Sequence, residues 1–436
     1  MNSLSVLETA AESTEQGSLS AASPSERSRA TAKGRRKIAF FGHFGAGNFG
    51  NESTLQAMLW HVRRLVPDAE LKCICSAPET VSAEYNIATL PISGIVVKSW
   101  DLRNPLAILL RKIFIGIPSE LYRWLKAVVA LQDADALIVV GTGLLTDAFS
   151  LAGWGPYSTF KWSVIAKLCR CQLCFISVGV GPLHGATGRF LVKSALSLAD
   201  FRSYRDNSTL QYLKDIGFRS EGRIYPDLAF SLPPELLPNS TPRKGRRLMV
   251  GIGLMEYSGM YGIEKTTSAD YAAYFETLVE FVKFVLGRDC DVRLLIGDLA
   301  DVPATQEFRA LLKARSVTHD EERIVCQPVT STENLLSQLA ATDFVVGTRF
   351  HNVLLALLLN KPSIAISFHH KCSSLMSQMG LSEYCQDIKR LSTDRLIEQF
   401  CELERNTDRL KLLIKDRAGE FRTALDEQYD RIFKEL

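Results

Sequence analysis

Ten short strand-like runs, most of them apolar, recur along the chain, and stretches with helical spacing separate many of them. In the first half they are KIAFFG (37–42), ELKCICS (70–76), ALIVVG (136–141), LCFISVGVG (173–181) and a shorter FRSYRD (201–206). In the second half they are RLMVGIG (247–253), DVRLLIGD (291–298), RIVCQPV (323–329), DFVVGT (343–348) and PSIAISF (362–368). Leu55, Met58, Leu59, Val62 and Val66 share one helical face, and residues 268–287 and 351–360 also read as helices. Strands that are apolar on both faces and alternate with helices build parallel sheets covered on both sides, so the expected fold class is α/β.

A chain of 436 residues is too long for one hydrophobic core. The alternation breaks at LPPELLPNSTPRKGRR (232–247), where prolines, polar residues and a basic cluster mark a linker. Two Rossmann-like parallel-sheet domains facing a cleft follow from this: residues 36–235 and 247–390, joined by 236–246. Residues 1–35 read as a disordered leader, rich in Ser, Ala, Thr and Glu and without the apolar core of a secretory signal. Residues 391–436 read as charged helices that fold back across the first domain. Ligands of open parallel sheets bind at the carboxyl ends of the strands, which places any site in the cleft.

The formal charge of +3, from 51 basic and 48 acidic residues, gives no support for a nucleic-acid surface. The ten cysteines lie mostly inside apolar runs. Cys171 and Cys174 form one CxxC with no second pair to complete a metal site. Reduced core thiols in a reducing compartment, and no bound metal, are the expectation. No run of 18 uncharged apolar residues exists. The segment 104–131 is apolar, with Arg111, Lys112, Arg123 and Lys126 against one acid, Glu120. It reads either as ordinary surface helices or as a patch for a membrane surface.

Four strand ends carry candidate chemistry. The loop FFGHFGAGNFGNE (40–52) leaves a strand at Gly42 and enters a helix. Asn48 and Glu52 there are hydrogen-bonding groups for hydroxyls, or else the loop only caps the helix, with Asn51 as the cap. ALIVVGTGLLTD (136–147) carries Gly143 and Asp147, the latter a catalytic group or a helix cap. ISVGVGPLHG (176–185) offers His184, and FRSYRDNST (201–209) offers Arg205, which either points into the cleft or pairs with Asp206. In FVVGTRFHNVLLALLLNKPSIAISFHHK (344–371), Arg349 and His351 meet a helix N-terminus and Lys371 follows the next strand. Orphan N–H groups, a guanidinium and an imidazole together suit phosphate or carboxylate. The bland alternative is that Arg349 pairs with Asp343 or Asp227.

The segments GAGNFGNE, IVVGTGLL, SVGVGPL, SYRDNST, PDLAFSL, VVGTRFHNVLLALLLNKPSIAISF and HHK occur in this order across residues 40–371. In this the chain resembles the polysaccharide pyruvyl transferase family, with one departure at Asn51, where the family loop usually carries Asp. The resemblance implies a GT-B-like shell and transfer of a pyruvyl group from phosphoenolpyruvate to a sugar, as a ketal. It implies Arg205, Arg349 and His351 at the donor site, with Lys371 a further candidate, and the first domain on the acceptor side. Gly42, Asn48, Gly143 and His184 would line the substrates. His351 and Arg349 would act in catalysis, and Glu52, Asp147 and His184 are the candidate bases. Phosphoenolpyruvate serves as donor substrate and no cofactor is implied. The acceptor would be a saccharide or a lipid-linked saccharide, the compartment cytoplasmic, with peripheral membrane contact through 104–131. A nucleotide-sugar glycosyltransferase in the same shell and a non-catalytic saccharide-binding member are the alternatives.

Overall fold

The structure is a computed structural model that describes residues 35–93, 104–146, 155–238, 247–257, 268–317 and 321–435. Most of the expected leader, residues 239–246 of the expected linker, and Asp147 lie outside the described residues.

The first sheet contains β1 (Lys37–Phe41), β2 (Glu70–Cys75), β3 (Ala88–Pro91), β4 (Ala136–Val140), β5 (Gln172–Val178), β6 (Phe201–Tyr204) and β7 (Arg223–Ile224). Their order is β3-β2-β1-β4-β5-β6-β7. The second contains β8 (Met249–Leu254), β9 (Asp291–Ile296), β10 (Ile324–Cys326), β11 (Phe344–Gly347), β12 (Ser363–Ser367) and β13 (Cys385–Asp387), in the order β10-β9-β8-β11-β12-β13. All pairings within both sheets are parallel. Each of the ten expected strand runs contains a strand. The three strands that lack an apolar run, β3, β7 and β13, are short sheet edges. An edge strand is covered on fewer sides, so its sequence is freer to be polar.

Central strands read as unbroken apolar runs because alternate side chains enter different cores. Ile38 and Phe40 of β1 join one cluster, which continues through the second sheet and the C-terminal helices. Ala39 and Phe41 join the other, under the helices on the far face of the first sheet. The helix Phe49–Leu65 departs from its expected one-sided pattern. Residues Phe49 to Leu59 are all buried, polar ones included, because this helix is wedged between the two sheets. Its Gln56 donates to Glu333 across the gap at 2.5 Å.

The C-terminal helix Thr407–Glu435 crosses onto the first sheet. Ser203 donates to the Gln428 carbonyl at 2.5 Å, and Gln428 donates to Ser177 at 3.1 Å. The Tyr429 ring stacks on His61 at 4.1 Å and its hydroxyl meets that of Ser231 at 2.8 Å. These contacts tie residues at opposite ends of the sequence into one body.

Candidate active site

In each sheet the strand order reverses once, between β1 and β4 and between β8 and β11. Loops leaving neighbouring strands at such a point diverge and leave a crevice at the carboxyl ends. The charged residues collect along those edges. Arg205 follows β6, Arg349 and His351 follow β11, and Lys371 lies in the first turn of the helix His370–Gln378, after β12.

The glycine loop after β1 bridges the two sheets. Phe49 N–H donates to the Gly297 carbonyl at 3.1 Å and Leu299 N–H donates to that of Gly47 at 3.0 Å. Asn48 serves this junction. Its carbonyl oxygen accepts from Asn51 N–H at 3.1 Å, capping the helix, and its amide donates to Asp298 at 2.8 Å. Asn48, not Asn51, is therefore the cap, and its side chain bridges to the second domain. Gly50 explains the close approach of the domains: a Cβ at this position would fall 1.8 Å from the His351 ring.

Arg205 reaches across the same junction. Its guanidinium lies over the Phe350 ring, 5.1 Å from the centroid, an arrangement that favours a cation. Gly179 clears the way, since a Cβ there would fall 2.5 Å from Nη2. Arg205 resolves its two alternatives by satisfying both. It enters the crevice, its Nη1 donates to Asp227 at 3.3 Å, and its Nε lies 3.6 Å from Asp206, beyond hydrogen-bond reach. Nε and Nη2 are buried without a hydrogen-bond partner among the described residues. A buried donor left unmade costs about 1–3 kcal/mol, so these two nitrogens are placed to be satisfied by something that enters.

Arg349 is held differently. Its Nε donates to Asp301 at 2.7 Å and its Nη2 bonds the other oxygen of the same carboxylate. Asp301 has no exposed surface and also accepts from Glu256 N–H at 2.9 Å. Burial pushes the Asp301 carboxyl up, against the pull of Arg349. Neither acid expected to pair with Arg349 does so: Asp343 accepts from Met249 N–H at 2.8 Å, and Asp227 serves Arg205. Asp301 was invisible in the sequence because it lies 48 positions upstream, with no local pattern linking the two.

Among the described residues of the cluster, the basic groups Arg205, Arg349 and Lys371 are matched in number by three carboxylates, Asp206, Asp227 and Asp301. Its suitability for an anion rests on unfilled donors, not on surplus charge. The helix Phe350–Leu358 has no side-chain cap, so its first N–H groups are available. Lys371 makes no ion pair through its ammonium among the described residues. Burial, then Arg205, pushes it down to about 7. His351 is held at about 4, by burial first, with Asp227 pulling the other way and Arg205, Lys371 and Arg349 adding to the depression. In the ligand-free site these causes favour the neutral ring of His351. His369, a neighbour that sequence reasoning left out, caps the next helix by accepting from Lys371 N–H at 3.3 Å, and burial holds it low as well.

The remaining candidates divide. Glu52 is buried, accepts from Gly45 N–H at 2.7 Å, leaves its other oxygen without a partner, and is raised by burial to about 7. The charge that acts on it is Glu84, whereas Asp227, Arg205, Lys371 and Arg349 act on His351, so Glu52 occupies a separate environment. Gly42 packs against the Phe44 ring, while Gly143 faces open space. His184 is exposed, and its carbonyl accepts from Arg189 at 3.1 Å. Asp227, expected only as a partner of Arg349, and Phe350, not singled out, are the further members that the sequence carried. Both lie inside the segments PDLAFSL and TRFHN.

Comparison with known proteins bears on family and fold. The chain matches the family model of polysaccharide pyruvyl transferase over residues 48–370. It is 31% identical over 280 residues to the amylovoran biosynthesis protein AmsJ of Erwinia amylovora. The match covers 61% of this chain and 65% of that relative's length. Among solved structures, the UDP-GlcNAc 2-epimerase from Neisseria meningitidis bound to UDP-GlcNAc superposes with a TM-score of 0.58. It is 12% identical, over 92% of this chain and 100% of that one. MurG from Acinetobacter baumannii gives 0.51 at 12% identity, over 92% and 100%. At such identities these structures show the fold alone, a two-domain GT-B-like shell. The family match takes in strands of both sheets together with Arg205, Arg349 and His351, and the chain belongs to the polysaccharide pyruvyl transferase family.

Proposed function

We propose that this protein transfers a pyruvyl group from phosphoenolpyruvate to a saccharide, free or lipid-linked, as a ketal of two hydroxyls. The observation that carries the reading is the pair of buried, unpartnered Arg205 nitrogens beside the unpaired Lys371 and the uncapped N-terminus of Phe350–Leu358. A small trianion with a carboxylate and a phosphate satisfies such a set of donors. Arg349, fixed by Asp301, holds the loop that presents this helix end, so its contribution is positional as much as electrostatic.

Chemically, a proton is added to the methylene carbon of the donor and an oxocarbenium-like centre forms at C2. One sugar hydroxyl attacks that carbon and loses its proton. The C2–O bond to phosphate breaks, phosphate departs with the electron pair, and a second hydroxyl closes the ketal, its proton passing to the released phosphate. An entering dianion draws the neutral His351 ring toward its charged form, which makes it the group best placed to supply a proton here. Arg205 and Lys371 stabilise the departing charge.

The test is incubation of the purified protein with phosphoenolpyruvate and candidate saccharides, following phosphate release and a mass gain of one pyruvyl group. Stabilisation against heat by UDP or GDP, with none by phosphoenolpyruvate, would instead favour a nucleotide-sugar glycosyltransferase.

A further inference from the structure

The helical stretch 105–131, running through Pro105–Arg111, Lys112–Gly116 and Ile117–Leu131, breaks the usual rule for a surface helix. Its inner face packs normally: Ala127 and Leu131 are buried in the core of the first domain, with Trp124 and Val128 beside them. Its outer face is also apolar. Eleven of the eighteen exposed large apolar side chains among the described residues belong to this one segment. Leu110, Phe114, Ile117, Leu121, Leu125 and Val129 recur at intervals of three or four, which is one helical stripe. Phe114 is 72% exposed and Leu125 66%. A helix apolar on both faces is normally enclosed by protein or lipid.

The charges indicate which enclosure. The segment carries four basic residues and one acid, a surplus equal to the formal charge of the whole chain. The one acid, Glu120, is already taken: it accepts from Arg123 at 2.7 Å, from Tyr157 at 2.7 Å and from Lys161 at 3.2 Å. Lys112 and Lys126 remain exposed, Lys126 lying over the Tyr122 ring at 4.9 Å. A second copy docked face to face would bring this basic surplus against itself with no acid to answer it. An anionic lipid surface complements both features at once, burying the stripe and meeting the basic groups. No helix among the described residues is long and apolar enough to cross a membrane, which leaves a helix lying in the plane of the surface.

We infer that residues 108–129 form a docking face for an anionic lipid bilayer, with the stripe immersed and Lys112 and Lys126 at the headgroups. The fold orients it usefully. Ile117–Leu131 precedes β4 in a parallel crossover and therefore runs against the strands. Its Leu131 end lies near the amino edge, where Asp133 pairs with Lys37. Its Ile117 end, with Phe114 beyond, lies toward the carboxyl edge where the substrate loops emerge. A lipid-linked acceptor would then reach the crevice from the bound surface; this last step alone rests on the proposed transfer reaction.

The experiment is flotation of the full chain with vesicles of phosphatidylcholine, with and without about one third phosphatidylglycerol, at low and high salt. It needs neither donor nor acceptor, so its outcome is independent of the transferase reading. Expected is co-flotation with the anionic vesicles, weakened by salt and about tenfold weaker on neutral ones. The triple variant Phe114→Ser/Leu121→Ser/Leu125→Ser and the double variant Lys112→Glu/Lys126→Glu should each lose about tenfold in binding, with the melting temperature unchanged. The charge variant leaves the apolar face intact, so it remains informative if the triple variant folds poorly. Wild-type protein left in the soluble fraction with anionic vesicles at low salt would overturn the inference. So would a stable dimer that the triple variant converts to monomer.

Discussion

Lys371 offers the most searching test of the donor site. In the ligand-free protein its ammonium is depressed to about 7, by burial first and by Arg205 second. A bound trianion offsets both causes: its charge compensates for burial and outweighs the guanidinium. The lysine should then return toward its ordinary value of about 10.4. At about pH 8 the free site holds this lysine roughly nine-tenths neutral, so binding should draw about 0.9 proton from solution. The ligand adds little of its own, since a phosphate monoester completes its second ionisation near about pH 6. Affinity for phosphoenolpyruvate should fall about tenfold for each pH unit above neutrality, or about 1.4 kcal/mol per unit. Titration calorimetry at pH 8, in buffers of different ionisation enthalpy, reads the proton count directly. Lys371→Met should abolish the uptake and flatten the pH dependence. Net uptake near zero in the wild type, or an affinity indifferent to pH between 7 and 9, would refute the reasoning. The same lysine fixes a stability trend. Its folded value lies below its unfolded one, so its contribution is present above about 10.4, declines as pH falls, and is lost below about 7.

Four further outcomes are expected. Gly50→Ala, which in an open helix would stabilise by about 0.5–1 kcal/mol, should here destabilise by about 1–3 kcal/mol and impair activity, because the new methyl enters the His351 ring; thermal melts and phosphate release check both. Asp301→Ala strands a buried guanidinium and should cost about 3–5 kcal/mol in chemical unfolding, with Asp301→Asn milder. Arg205→Lys keeps the charge but loses the planar fork over Phe350, so transfer should drop about a hundredfold with little change in melting temperature. Tyr429→Phe removes the bond to Ser231 and should cost about 1 kcal/mol in stability, read by thermal melts.

The sequence by itself determined the parallel α/β character, because strands buried on both faces must be apolar along most of their length, and β1, β4, β5 and β8 are. It also placed Arg205, Arg349, His351 and Lys371 at strand ends, each within four residues of the last residue of a strand. The edge strands escaped notice because partial exposure removes the hydrophobic constraint. Only the tertiary structure decided what those four side chains meet. Charge compensation is set by distance in space: Asp301 reaches Arg349 across 48 residues, while Asp227 reaches Arg205 across 22. Likewise, only the docking of two domains could turn Asn48 from a candidate sugar ligand into a bridge to Asp298, 250 residues away. Local pattern encodes periodicity and strand termini, whereas pairing and desolvation depend on which surfaces the folded chain brings together.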